Sequence, residues 1–234
     1  LKNPFLAVIW FHAPHLPFVA SKEDVENYAA ADPKLDGLHL NYYGCVTALD
    51  RAVGKLRARL RKLGVAKNTL VAFCSDNGPE GNQNAPGRQG DFKGRKRSLY
   101  EGGVRVPSLL EWTARIKPGT SSEVATCTVD YFPTVLELVD IEMPDDRPLD
   151  GISLVPLFVG KLESRPSPLG FHIRGQAAWH DGDWKAYCSK VNSHEWELYN
   201  LKDDPYEKKN RAADKLLKLE AMVGAWGKWK ASVE

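Results

Sequence analysis

One long segment without apolar periodicity, residues 76–103, most constrains how this chain of 234 residues can fold. Its 28 residues include seven glycines, and it follows an apolar run at residues 69–74. Loops of this length inside a compact domain are usually functional or disordered. The loop begins with Asp76 and Asn77, which carry hard oxygen donors, and continues into a cationic cluster. The cluster consists of Arg88, Lys93, Arg95, Lys96 and Arg97. The pattern indicates an anion site, with metal-type oxygens, at the end of a strand.

The charge balance, the apolar runs and the cysteine spacing limit which partners and which kinds of site the sequence predicts. Lys plus Arg number 32 and Asp plus Glu 30, which leaves a net charge of +2. No global imbalance therefore points to a nucleic-acid partner or to an acidic membrane surface. Apolar runs such as residues 5–11 are far too short to span a bilayer. The cysteines lie far apart without a CxxC pair, so neither a zinc framework nor a small disulfide scaffold is predicted. A long-range disulfide stays open among Cys45, Cys74, Cys127 and Cys188.

The order of the predicted elements favours an α/β fold. Residues 6–11 form a continuous apolar run, as expected of a strand buried on both faces in a parallel sheet. Residues 69–74 and 104–112 are further strand candidates, and residues 42–63 have the period of an amphipathic helix. Gly64 is a natural stop for this helix. Its basic residues fit a solvated face better than a nucleic-acid surface. Its apolar face comprises Tyr42, Cys45, Leu49, Val53, Leu56, Leu60 and Leu63.

Shorter elements are predicted towards the C-terminus. Asp130 can cap a helix that has Pro133 in its first turn. Residues 184–188 and 196–201 are strand candidates. The chain ends in a predicted amphipathic helix, with Leu216, Leu219, Val223 and Trp226 along one side.

A proline-rich segment after the first predicted strand contains His12 and His15. Two histidines three residues apart suggest zinc, but Pro14 and Pro17 exclude the helix that would place both on one face. Composition alone therefore favours a turn with solvated histidines. In open α/β sheets, ligands bind beyond the carboxyl ends of the strands. His15 and Asp76 are both predicted to lie there, so the two segments are expected to converge on one site.

Two short motifs at a characteristic separation carry a family resemblance. SDNGPE at residues 75–80, followed by KGRKRSLYEGGVRVP at residues 93–107, resembles the sulfatase family of the alkaline phosphatase superfamily. The usual pattern of that family is SDNG and then GGKGS-x-YEGG-x-RVP. Residues 149–160 resemble its DG-x-S-x-x-P segment, and residues 204–210 its DP-x-E-x-x-N ending. The resemblance implies part of an alkaline phosphatase-like mixed sheet flanked by helices (residues 1–163), with a small C-terminal α+β subdomain (residues 164–234).

The resemblance also implies roles for individual residues. Asp76 and Asn77 match calcium ligands of the family, and Lys96 matches its active-site lysine. His15 matches the histidine of an APH-x-P segment, where it can donate to a sulfate oxygen or protonate a leaving alkoxide. Arg95 and Arg97 stand where glycine is usual, so they either favour a polyanionic substrate or point away from the site. Weaker substrate-binding candidates are Lys93, at a commonly basic position, together with Arg95 and His172. Isolated surface positions explain His172, Arg174 and His180 more simply.

The nucleophile of the family has no counterpart in this sequence. Sulfatases use a formylglycine made from the cysteine or serine of a C/S-x-P-x-R motif, and no cysteine or serine here has that context. The paired N-terminal aspartates of the family are also absent, since Asp145 and Asp146 lie in a late loop. The chain therefore resembles a C-terminal half, cut from a longer protein, whose partner is the N-terminal half. We expect little turnover from it alone, and family tendency implies export to the periplasm, the lysosome or the exterior.

The expected reaction is hydrolysis of an aryl or carbohydrate sulfate ester, with calcium as cofactor. A phosphatase or phosphonate-type relative would need further Asp and His ligands for a second metal. A different class of function is a non-catalytic module that binds sulfated glycans. In that case the contacts would come from Arg88, Lys93, Arg95 and Arg97, and binding would weaken with salt.

Overall fold

The computed structural model describes residues 4–82, 84–143 and 145–233. The chain forms two compact units, of which one comprises Leu1–Thr69 and Asn82–Arg88 and the other Leu70–Gly81 and Gln89–Glu234. The predicted domain boundary after residue 163 stays a prediction. Within the described residues, none of the helices is both long and apolar enough to span a membrane.

The first unit is built on two helices, α1 (Lys22–Ala31) and α2 (Gly37–Lys62). Asp36 caps α2 by accepting a hydrogen bond from the His39 amide, so the helix begins five residues before the predicted start. α1 lies against α2 at Gly44, where a Cβ atom would lie 3.3 Å from the Cβ of Asp24 and 2.5 Å from that of Ala20, just before α1. The predicted apolar face of α2 is confirmed except at Leu63, which is exposed. Gly64, with φ +72°, ends the helix as predicted.

The predicted strand at residues 6–11 is wrong for this structure. The structure has no strand among residues 4–20, and the apolar side chains of Leu6, Val8 and Ile9 are exposed. Trp10 is 90% exposed. A strand buried on both faces needs neighbouring strands and helices that cover it. The described part of the chain gives this segment neither.

The second unit contains two sheets. Strands β1 (Val71–Cys74) and β2 (Ser108–Glu111) pair in antiparallel register, with Cys74 opposite Ser108. A helical turn, α3 (Glu101–Val104), precedes β2 and includes Val104, which had been predicted to start the strand. Trp112, Leu154 and Phe158 form a small core with Leu110 of β2 and with Leu70, which precedes β1. The remaining helices of this region are α4 (Tyr131–Val139) and α5 (Val155–Phe158).

The larger sheet is an antiparallel meander in the order β3 (Leu169–Ile173), β4 (Gln176–Asp181), β5 (Trp184–Cys188) and β6 (Trp196–Asn200). The terminal helix, α6 (Leu216–Val233), packs on one face through Leu219, Met222 and Trp226. The opposite face, with Ala178 and Tyr187, packs against Leu99 of the long loop. Side chains alternate between the faces of a strand, and the C-terminal sheet therefore supports both the last helix and the loop that carries Lys96.

Asp130 has a different role from the predicted helix cap. Its side chain accepts no hydrogen bond from α4. Instead its carboxylate, which is fully buried, accepts from the amides of Cys127 and Ile152 at 2.7 and 2.9 Å. Arg165 donates to both carboxylate oxygens at 2.7 and 2.9 Å. One side chain thus joins the start of α4 to residues 152 and 165.

We expect Asp130→Asn to lower the free energy of unfolding by about 3 kcal/mol, because it leaves the buried Arg165 guanidinium without its charged partner. Urea denaturation followed by tryptophan fluorescence measures the change. Asp145→Asn is the control, since it disrupts an exposed pair with Arg147 and should leave the unfolding curve unchanged. Equal effects of the two substitutions would contradict this account of Asp130.

Candidate active site

The segment that follows β1 lies directly against α3. The Gly78 amide donates to the Gly103 carbonyl at 2.8 Å. A Cβ atom on Gly78 would lie only 1.9 Å from the carbonyl oxygen of Gly102, so only glycine allows this approach. The backbone next to Asp76 and Asn77 is therefore held against the turn formed by Glu101, Gly102 and Gly103, called the EGG turn below.

The cationic part of the loop meets the same turn from another side. The Gly102 amide donates to the Lys93 carbonyl at 2.7 Å, and the Lys96 amide donates to the Pro79 carbonyl at 3.0 Å. A Cβ atom on Gly102 would lie 2.2 Å from the Gly94 carbonyl oxygen. Close approach rather than positive φ explains the glycines of the turn, since neither Gly102 nor Gly103 has φ in the left-handed region. The structure thus brings the Lys96 backbone to Pro79, two residues after Asn77, while the site roles of Asp76, Asn77 and Lys96 stay predictions.

Asp76 and Asn77 carry side-chain oxygen atoms close to these backbone contacts. The Asp76 side chain is exposed, and its Oδ1 accepts the Asn77 amide at 3.0 Å. The Asn77 side-chain amide donates to the Gly78 carbonyl at 2.8 Å, so its own carbonyl oxygen is turned to the other side. Calcium takes six to eight oxygen ligands. In the described ranges no group of three or more His, Cys, Asp or Glu side chains is arranged to hold a metal ion. The pair therefore fits a calcium ion as part of a site and not as a whole one.

The cations of the loop surround Glu80. Its carboxylate pairs with Arg97 and lies 3.8 Å from Lys96 Nζ, while its backbone carbonyl accepts from Arg95 at 2.9 Å. The hydrogen bond from Arg97 lowers the pKa of the Glu80 carboxyl group. Arg95 also donates to Gln89 Oε1 at 2.6 Å, so its guanidinium is engaged within the loop. Sequence reasoning missed Glu80, although it lies within the quoted SDNGPE motif.

Lys93 lies in an aromatic and acidic pocket. Its Nζ donates to the Tyr199 hydroxyl at 3.0 Å and lies 4.0 Å from the centroid of the Tyr100 ring. Both tyrosine hydroxyls donate to Glu197 Oε2 at 2.6 Å. Burial and the neighbouring Glu197 raise the pKa of Tyr100 and of Tyr199. These contacts give Lys93 a role in attaching the loop to β6, and its contact with substrate stays a prediction.

The other histidine candidates lie on separate elements. His172 is an exposed residue of β3 whose ring centroid is 5.7 Å from that of Trp226. Burial lowers the pKa of His180 on β4. His15 belongs to the first unit, where its Nδ1 lies 2.7 Å from the Leu16 carbonyl oxygen and its ring centroid 5.5 Å from that of His12. Their contacts with a substrate stay predictions.

A buried ionic cluster anchors the turn to the C-terminal sheet. Lys185 of β5 is 1% exposed, and its Nζ lies 2.8 Å from Glu101 Oε1 and 3.0 Å from Glu207 Oε1. The other oxygen of Glu207 accepts the Glu101 amide at 2.7 Å. Burial raises the pKa of the Glu207 carboxyl group. Sequence reasoning missed this cluster, because Lys185 stands in a short strand where an alternating lysine normally faces water.

Gly102→Ala should lower the free energy of unfolding by about 2 kcal/mol or more, since the new methyl group would collide with two backbone carbonyls. Amide exchange at Lys96 and Gly102 should accelerate at the same time. In contrast, Gly227→Ala in α6 meets no atom within 4 Å and should stabilise the chain by about 0.5–1 kcal/mol. A neutral Gly102→Ala would show that the crossing is not tight.

Lys185→Met should lower the free energy of unfolding by about 3–5 kcal/mol, because it leaves two buried carboxylates without their shared cation. Adding Glu207→Gln should recover part of the loss, since one of those charges is then removed. Thermal and urea unfolding of both variants measure the effect. A double variant no more stable than Lys185→Met would contradict the charge argument.

The same cluster predicts a pH dependence. Because the folded-state pKa of Glu207 is raised, its contribution to stability is fully present below its ordinary pKa of 4.5. That contribution is lost as the pH rises through the raised pKa. The stability of Glu207→Gln relative to the unsubstituted chain should therefore increase as the pH rises above 4.5 and through the raised pKa of Glu207.

Comparison with known proteins agrees with the motifs. The family model described as Sulfatase matches residues 1–141, and the model described as N-sulphoglucosamine sulphohydrolase, C-terminal, matches residues 87–222. The steryl-sulfatase of Rattus norvegicus is 38% identical over 69% of this chain and 31% of its own length. The N-acetylgalactosamine-6-sulfatase of Mus musculus is 32% identical over 87% of this chain and 38% of its own length.

Solved structures show the same relationship. The crystal structure of Ps i-CgsB in complex with k-i-k-neocarrahexaose superposes with a TM-score of 0.83 and 32% identity, covering 95% of this chain and 49% of that one. The phosphonate monoester hydrolase of Agrobacterium radiobacter gives a TM-score of 0.52 at 21% identity over 82% of this chain and 40% of its own, which concerns the fold alone.

The chain therefore has part of an alkaline phosphatase-like α/β fold, as the motifs implied. It belongs to the sulfatase family. It spans about a third of the length of the curated relatives it matches.

Proposed function

We propose that this chain supplies one half of the active site of a sulfuric ester hydrolase. The observation that supports the proposal is the set of close backbone contacts at the Glu101–Gly103 turn, where the Gly78 amide bonds to Gly103 and the Lys96 amide bonds to Pro79, two residues after Asn77. A lysine beside hard oxygen donors suits a sulfate group next to a divalent cation. Membership of the sulfatase family supports the same chemistry.

Each residue has a definite task in this proposal. Lys96 donates to a sulfate oxygen and offsets the charge that builds up on the transferred group. His15 donates to the sulfate or protonates the leaving oxygen. Asp76 and Asn77 contribute two ligands to a calcium ion, which when bound adds positive charge beside the sulfate. The remaining ligands and the formylglycine nucleophile would come from an N-terminal half of the same protein.

A carbohydrate sulfate is the substrate class we favour. The galactosamine-6-sulfatase relative is named for a sulfated sugar, and the CgsB structure contains an oligosaccharide. The steryl-sulfatase relative is named for a different alcohol, so an aryl or steryl ester is the competing outcome. Export of the intact protein is part of the proposal and rests on the family.

A non-catalytic polyanion-binding module is less well supported. That function would need the loop cations directed to a ligand. Lys93 instead contacts Tyr199 and Tyr100, and Arg95 is bonded to Gln89 and to the Glu80 backbone.

The test is hydrolysis of 4-methylumbelliferyl sulfate with calcium present. We expect no turnover by residues 1–234 alone, and turnover when the chain is joined or mixed with an N-terminal polypeptide of the same gene that carries a C/S-x-P-x-R motif. In the active form, Lys96→Ala should lower kcat/KM by about 10²–10³, as expected for loss of one charge-stabilising donor.

The matched control is Arg147→Ala, which removes an exposed cation paired with Asp145 and should leave kcat/KM unchanged. Robust hydrolysis by the isolated chain would refute the division of the site between two halves. An unchanged rate in Lys96→Ala would refute the role of Lys96.

A further inference from the structure

Arg97 has a backbone conformation that an arginine rarely adopts. Its φ is +73°, in the left-handed region, where a side chain costs about 1–2 kcal/mol. A glycine would adopt the same conformation without strain. Strained residues of this kind cluster at ligand sites, so the outlier justifies asking what its side chain does.

The backbone at Arg97 is fixed by the C-terminal sheet. The Gln176 side chain of β4 donates to the Arg97 carbonyl at 2.7 Å and accepts the Leu99 amide at 3.3 Å. Its Oε1 also accepts from the Tyr187 hydroxyl at 3.1 Å. These bonds hold the backbone at Arg97 in place and therefore define the direction in which its side chain starts.

The guanidinium of Arg97 shares one carboxylate with Lys96. It pairs with Glu80 Oε1, while Lys96 Nζ lies 3.8 Å from Oε2 of the same group. Two cations around one anion leave a net positive charge. The Arg97 side chain is 52% exposed and can be reached from solvent. Because the two cations contact one carboxylate, they lie close enough to meet two substituents of one sugar ring.

We propose that Arg97 and Glu80 form a second anion subsite beside Lys96, for a saccharide that carries a second sulfate or a carboxylate on the same sugar as the sulfate bound by Lys96. The second anion of the ligand replaces the Glu80 carboxylate on Arg97. Glu80 is thus the counter-ion of Arg97 when no substrate is bound. It also competes for Lys96, so a ligand with a single negative charge binds less tightly than one that replaces Glu80 on Arg97. Arg95 has no part in it, since its guanidinium is bonded to Gln89 and to the Glu80 backbone. This inference deepens the proposed function and rests on it.

The test compares two probes, glucosamine 6-sulfate and glucosamine N,6-disulfate, titrated into residues 1–234 by calorimetry at low ionic strength. The disulfate should bind about fivefold more tightly, as one additional exposed charge pair provides. In Arg97→Gly this ratio should fall towards one, with little change for the monosulfate. The variant also removes the unfavourable φ, so its thermal midpoint should be unchanged or higher and misfolding cannot explain the loss.

Two further variants separate this subsite from the proposed function. Lys96→Ala should weaken both probes by the same factor and keep their ratio. Glu80→Gln should strengthen both, because the competing carboxylate is gone. Arg147→Gly removes the same charge at another exposed position, where the arginine pairs with Asp145, and should leave the ratio unchanged, which excludes a general effect of net charge.

The outcomes are distinct. A retained ratio in Arg97→Gly, equal affinities in the unsubstituted chain, or no binding of either probe at millimolar concentration would each overturn the subsite. Unchanged monosulfate binding in Lys96→Ala would instead count against the sulfate-binding role of Lys96, while a ratio that still falls in Arg97→Gly would support the second anion subsite on its own.

Discussion

The ionic cluster of Lys185, Glu101 and Glu207 is the interaction on which the geometry of the candidate site depends. It joins three segments that are distant in sequence, namely β5, the start of α3 and the loop after β6. All three side chains are less than a tenth exposed. Removing one partner from such a cluster leaves uncompensated buried charge, which costs several kcal/mol, about 3–5 in known cases. The EGG turn therefore cannot easily leave the sheet, and neither can the segments that cross it.

Those crossings explain how a glycine-rich loop can be a precise site. Ordering a long loop is opposed by a large loss of conformational entropy. Here the order comes from backbone hydrogen bonds at Gly78, Lys96 and Gly102, and from contacts that leave no room for Cβ atoms. Lys96 is thereby placed by its main chain, and its side chain need only choose a rotamer. Donors fixed before the ligand arrives stabilise charge without a reorganisation cost.

Sequence patterns predicted the parts of this structure that depend on local periodicity or on short motifs. The helix at α2 and the strands at β1, β5 and β6 followed from apolar spacing, and two motifs singled out Asp76, Asn77 and Lys96 as site candidates. The β3–β4 hairpin was missed, although its turn at Arg174 and Gly175, both with positive φ, is a recognisable type. The ionic cluster could not be predicted, since a buried lysine is identified by its partners and these lie 84 and 22 residues away.

The wrong strand prediction at residues 6–11 has another cause: the apolar pattern is present, but the described part of the chain lacks the elements that would cover it. This bears on how the proposed site is completed. The apolar run predicted a buried strand, yet Leu6, Val8 and Trp10 are exposed in this structure. Contiguous apolar surface of this kind is uncommon on monomeric soluble proteins and marks an interaction site. An N-terminal half of a sulfatase, as proposed above, would cover it. The second unit has its own core and ion pairs, so Lys96 is positioned within it, whereas His15 follows a segment that lacks its cover. We therefore expect the sulfate contact proposed for Lys96 to be available in the isolated chain, and the acid role proposed for His15 to require the covering half.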